Sequence, residues 1–180
     1  HKRSMDVNDM LVALNYLSNR NDVNKIGIIG VSGGGVVASY VGGLSDKVSC
    51  IVLSNSLGSF QEFQNVDKKI KSYKSKKYMY PRTPKDKLKF YESNQYRGKF
   101  SKNIDNMYLT PLSLLPKTPL LIQFGEDDPI SKKNRSELLN YIKKIYTLFK
   151  SGNLLKISIE PNREHEFISA PIIEFLNEYL

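Results

Sequence analysis

The segment Gly30-Val31-Ser32-Gly33-Gly34 sets a serine among glycines, directly after the apolar run Ile26-Gly27-Ile28-Ile29. The pattern G-x-S-x-G forces a serine into a tight strand-to-helix turn, with strained backbone angles and an exposed hydroxyl. The flanking positions must be small because strand and helix approach closely there. The N–H of the next residue, Gly33, is expected to face an oxyanion developing on an attacked carbonyl, and the helix N-terminus adds a favourable dipole. A glycine-rich turn after a strand can also bind phosphate. Residues Gly30 to Gly35, however, fit neither G-x-G-x-x-G nor G-x-x-x-x-G-K-[ST].

A nucleophilic serine needs a base, and the base needs a carboxylate to orient it. His165, in Arg163-Glu164-His165-Glu166-Phe167, is the one histidine besides His1. The run Glu126-Asp127-Asp128-Pro129 follows an apolar segment ending at Phe124-Gly125 and offers the carboxylate. Asp128 and Asp127 are both candidates, and the same run would suit a cap for a following helix. The single cysteine, Cys50, lies in the apolar run Val48 to Leu53 and reads as a small core residue. One cysteine and two histidines do not suit a Cys/His zinc site, and no metal or cofactor is expected.

These residues must be held by regular elements. Asp6 reads as an N-cap for a helix over 6–19, with Val7, Met10, Leu11, Leu14 and Leu17 on its apolar face. Buried strands are predicted at 25–30, 48–53, 119–124 and 154–159. Helices are predicted at 36–42, 131–149 and 169–180. Leu138, Leu139, Ile142, Ile145 and Leu148 form the expected apolar side of the second of these. Ile172, Ile173, Phe175, Leu176 and Tyr179 form that of the third. Strands alternating with helices imply an α/β fold with a mostly parallel, doubly wound sheet.

Residues 58–116 break this rhythm and read as a lid or cap insert between two parts of one core, 1–57 and 117–180. The net charge of +9 is concentrated there. Between Lys68 and Lys102 stand 13 Lys or Arg against Asp86 and Glu92, so this stretch carries +11 and the remainder about −2. The bland reading is a solvated lid surface. Attraction to an anionic membrane surface or an acidic substrate is the alternative. Nucleic-acid binding is disfavoured: no arginine lies in the densest run, Lys68 to Tyr78, and no nucleic-acid-binding signature appears. No apolar run approaches the roughly 18 residues that span a bilayer. The N-terminal residues lack the apolar stretch of a signal peptide, and the expected location is cytoplasmic.

The order Gly30-Val31-Ser32-Gly33-Gly34, then Gly125-Glu126-Asp127-Asp128-Pro129, then His165 resembles the α/β-hydrolase superfamily, in its esterase and prolyl-oligopeptidase-like branches. The resemblance implies a catalytic triad of Ser32, Asp128 and His165, with Asp128 favoured by its Gly-x-x-Asp-Pro setting. It implies an oxyanion donor at Gly33 and cleavage of a carboxylic ester or thioester through an acyl-enzyme. The substrate would be a small-molecule acyl ester, with acyl lipids suggested by the basic, aromatic insert. A serine peptidase and a non-catalytic binding protein of the same fold are the alternatives. The resemblance further implies that this is the C-terminal part of the fold. The early strands and a second oxyanion donor are then expected from an upstream segment or a complementing chain.

Overall fold

The computed structural model describes residues 2–56, 115–129, 131–132 and 135–180. Residues 58–114 of the expected lid, with its basic stretch, lie outside them. Helix α1 (Lys2–Ser18) leads to strand β1 (Gly27–Val31), helix α2 (Gly33–Leu44) and strand β2 (Cys50–Ser54). Strand β3 (Leu120–Gly125), helix α3 (Arg135–Leu148), strand β4 (Leu155–Glu160) and helix α4 (Ser169–Tyr179) complete the order. A single 3-10 turn, Gly152–Leu154, precedes β4.

The four strands form one parallel sheet in the order β1-β2-β3-β4. Parallel strands need crossover connections, so helices cover the faces and the strands become apolar throughout. Accordingly β2 and β3 are buried at every residue. Alternation along the strands divides the core in two. Ile28, Ile51, Leu53, Leu120, Ile122 and Phe124 point to one face, where they meet Leu14 of α1, Ala38 and Val41 of α2, and Leu139, Ile142 and Tyr146 of α3. Cys50, Val52 and Leu121 point to the other, against Ile172 and Phe175 of α4. Because every strand runs the same way, the segments after β1, β2, β3 and β4 all leave from one rim of the sheet.

Among the described residues β1 pairs on one side only, with β2. Ile29 and Val31, on the α4 face of that strand, remain 44% and 40% exposed. No helix of the described residues is long and apolar enough to cross a membrane.

Four sequence expectations shift in detail. α1 begins at Lys2, so Asp6 lies inside the helix and caps nothing. α3 begins at Arg135, not Ser131. The turn before it is closed by the Lys132 and Arg135 amides donating to the Asp128 and Ser131 carbonyls. On α3, Leu148 is exposed and Tyr146 is buried in its place. At about 100° per residue, Leu148 lies far round the helix from Ile142, whereas Tyr146 is one turn along the same face. Ile173 of α4 is likewise solvent-facing beside buried Ile172.

Candidate active site

Ser32 sits between β1 and α2 with φ 52° and ψ −120°. A non-glycine residue adopts such angles only when its surroundings fix them. Here the Ser32 amide donates to the Ser54 carbonyl at 2.9 Å, which extends the β1–β2 pairing by one bond. The Ser32 carbonyl accepts from the Gly35 amide at 3.1 Å, which closes the turn. The hydroxyl caps no helix amide. The crossing is so tight that a Cβ on Gly30 would lie 2.4 Å from the Cα of Gly35, so that position admits only glycine without rearrangement. Gly33 is the first residue of α2, where amides have no partner within the helix, and a side chain placed there would meet nothing within 4 Å. Beside it, Gly33 and Gly34 join Ile28, Ile29 and Val37 in lining a cavity of about 430 Å³.

The acidic run after β3 separates into different environments. Asp128 is fully buried, and its Oδ1 lies 3.1 Å from Nδ1 of His165. Asp127 is exposed, and its carboxylate accepts from Lys132 Nζ at 2.9 Å. Beneath the turn, the Arg135 guanidinium donates to the Glu126 carbonyl at 2.8 Å and stacks over the Phe124 ring at 5.3 Å.

His165 follows β4, and its side chain is 12% exposed. A hydrogen bond donated by Nδ1–H to a carboxylate fixes the ring orientation and leaves Nε2 to take up a proton. The flanking carboxylate of Glu166 is turned to Arg163, 3.6 Å away. The loop carrying His165 is laced to the acid loop by two backbone bonds. The Glu126 amide donates to the Glu160 carbonyl and the Asp127 amide to the Arg163 carbonyl, each at 2.8 Å.

The structure therefore brings Asp128 and His165 into direct contact. Ser32 is not hydrogen-bonded to His165; it stands at the same rim, with β2 and β3 between its strand and β4. What carries the histidine loop back toward the serine is Asn55, a residue the sequence reading passed over. Its Nδ2 donates to the Glu166 carbonyl at 2.6 Å, so the residue after His165 reaches the end of β2. That end is next to Ser54, whose carbonyl holds the Ser32 amide. The one signal in the sequence was a polar Ser-Asn-Ser step closing an apolar strand, Ser54-Asn55-Ser56. Among the described residues no group of three or more His, Cys, Asp or Glu is placed to hold a metal ion.

Comparison with known proteins agrees with this architecture. Residues 11–151 match the family described as BAAT / acyl-CoA thioester hydrolase C terminal, a span that includes Ser32 and Asp128. No curated protein matches the sequence. Among solved structures, methylesterase BT1017 superposes with a TM-score of 0.61 at 15% identity, covering 98% of this chain and 34% of that one. The Pyrococcus furiosus esterase Pf2001 gives a TM-score of 0.62 at 14% identity, covering 98% of this chain and 62% of the esterase. Zea mays acyl-protein thioesterase 2 gives 0.53 at 12% identity, covering 96% and 64% respectively. This chain thus spans about a third of the methylesterase and under two thirds of the other two. Its parallel sheet and flanking helices are those of the C-terminal part of an α/β-hydrolase fold, and the chain belongs to the BAAT / acyl-CoA thioester hydrolase C-terminal family.

Proposed function

We propose that the chain carries the catalytic residues of a serine hydrolase that cleaves a carboxylic ester or thioester. Ser32 is the nucleophile, His165 the general base and Asp128 the carboxylate that orients it. The Gly33 amide, at the start of α2, stabilises the oxyanion. The observation that carries this reading is the buried Asp128–His165 contact at the rim where the strained serine turn opens. A carboxylate excluded from water beside an imidazole stabilises the imidazolium that forms when the serine proton is taken.

The steps follow from those roles. Ser32 Oγ attacks the acyl carbon as its proton passes to His165 Nε2, and negative charge collects on the carbonyl oxygen facing the Gly33 amide. Collapse expels the alcohol or thiol, which takes the proton from His165. Water then attacks the acyl-serine by the same route, releasing the acid and restoring the hydroxyl. The family description favours the thioester as the substrate class.

A fluorophosphonate probe on the full-length protein tests the assignment. Wild type is expected to label and Ser32→Ala to remain unlabelled. Folded, full-length wild type that fails to label at Ser32 would instead mark a non-catalytic member of the fold.

A further inference from the structure

We infer that Asn55 is a positioning residue that holds the acid and histidine loops in register with the serine turn; the inference rests on the hydrolase reading above. Asn55 follows β2 directly and is 2% exposed. Its backbone lies in the left-handed region, φ 48°, which asparagine tolerates better than most residues. Its main-chain amide donates to the Gln123 carbonyl of β3 at 2.8 Å. Its side-chain Oδ1 accepts from the Gly125 amide, at the mouth of the acid loop, at 3.0 Å. Its Nδ2 donates to the Glu166 carbonyl, in the histidine loop, at 2.6 Å.

One amide thus spans two catalytic loops from the strand beside the nucleophile. The chemistry of the span needs both an acceptor and a donor. Gly125 presents an N–H and Glu166 presents a C=O, so the orientation of the amide is fixed by its partners. An aspartate would keep the first bond and set a carboxylate oxygen against the Glu166 carbonyl. A glycine would keep the backbone angle and lose both bonds. Nothing else among the described hydrogen bonds ties the histidine loop to β2. Releasing it should let His165 drift from the side on which Ser32 opens, and displacement of a catalytic group by about 1 Å costs roughly 100-fold.

The test compares Asn55→Asp and Asn55→Gly with wild type in the full-length protein, using a short-chain thioester and the fluorophosphonate probe. Two readouts are combined. The first is kcat and KM per folded molecule; kcat is expected to fall roughly 10- to 100-fold, with KM nearly unchanged. The second is the ¹⁵N NMR signal of His165 Nδ1 and its titration. In wild type it should show the carboxylate-bonded N–H, and in both variants that signal should broaden or shift. Variants that melt earlier but keep wild-type kcat and an unaltered His165 signal overturn the inference, because the role is then only structural. Should Asn55→Asp fail to fold, Asn55→Gly, which keeps the left-handed angle accessible, decides. If wild type itself neither labels nor hydrolyses, the hydrolase reading falls, while the His165 signal still decides whether Asn55 holds that loop.

Discussion

Asp127 and Asp128 are neighbours in the chain and occupy opposite environments. Asp128 is fully buried 3.1 Å from His165, and Asp127 lies in solvent against Lys132. The separation assigns different consequences to the same chemical change. Asp128→Asn removes the charge that stabilises an imidazolium and is expected to lower kcat by roughly 10³- to 10⁴-fold. Asp127→Asn loses only an exposed ion pair, a contribution of about 0–1 kcal/mol, and should leave kcat nearly unchanged. Hydrolysis of one ester by both variants checks the pair. Equal losses would remove Asp128 from its role.

Gly30 is where strand and helix backbones pass closest. A methyl group there would lie 2.4 Å from Gly35 Cα and 2.6 Å from the Gly34 carbonyl oxygen. Neither is a flexible side chain that can swing away. Gly30→Ala should therefore destabilise by about 1–3 kcal/mol or more and distort the serine turn. Denaturant unfolding, read beside fluorophosphonate labelling, measures the two effects. A fully stable, fully labelled variant would contradict the geometry.

Tyr146 is fully buried, and its hydroxyl donates to the carbonyls of Leu115 and Thr118, at 3.0 and 2.9 Å, where the chain enters β3. Tyr146→Phe should cost about 1–2 kcal/mol. Burial also pushes the phenol well above its ordinary range. An acid whose folded pKa is raised gives stability that is complete below its unfolded pKa, near 10, and is lost as pH rises beyond it. Wild type should accordingly show a steeper loss of stability above about pH 10 than Tyr146→Phe, in melts taken across alkaline pH.

On the alternative reading of the +11 charge between Lys68 and Lys102, this stretch is attracted to anionic lipid. Full-length protein should pellet with vesicles containing phosphatidylserine and less with neutral ones. The difference should shrink as salt rises, because surface charge is screened over about 10 Å at 0.1 M. Equal pelleting with both vesicle types would leave the charge as solvated surface.

Much of the fold was legible because the physics that shapes it is local. Buried parallel strands must be short and apolar, and Ile51-Val52-Leu53 and Leu120-Leu121-Ile122 declare themselves. The serine turn was legible for the same reason, since Gly30 is demanded by its contacts with Gly34 and Gly35, within five residues. The boundaries of α1 and α3 were not: Asp6 resembles a cap in isolation while the helix already runs through it, and the chain after the acid run makes a turn before α3 begins. The choice between Asp127 and Asp128 also depended on which one the sheet turns inward, a property of the assembled loops. Asn55 was missed because its partners, Gly125 and Glu166, lie 70 and 111 residues away. The polar step Ser54-Asn55-Ser56 marks the place, but no local pattern names the partners of an amide that works at that range.

Gly125 shows how tightly the rim is assembled. A Cβ there would sit 2.0 Å from the carbonyl oxygen of Glu164 and 2.4 Å from that of Arg163. Any larger residue at 125 could be accommodated only if the histidine-bearing segment withdrew, and withdrawal would draw His165 off its carboxylate. The atoms it would meet are backbone, so no change of side chain at 163 or 164 relieves the clash, and over evolutionary time position 125 is held to glycine. A catalogue of tolerated substitutions in this protein should show position 125 closed to every residue but glycine, whatever stands at 163 and 164.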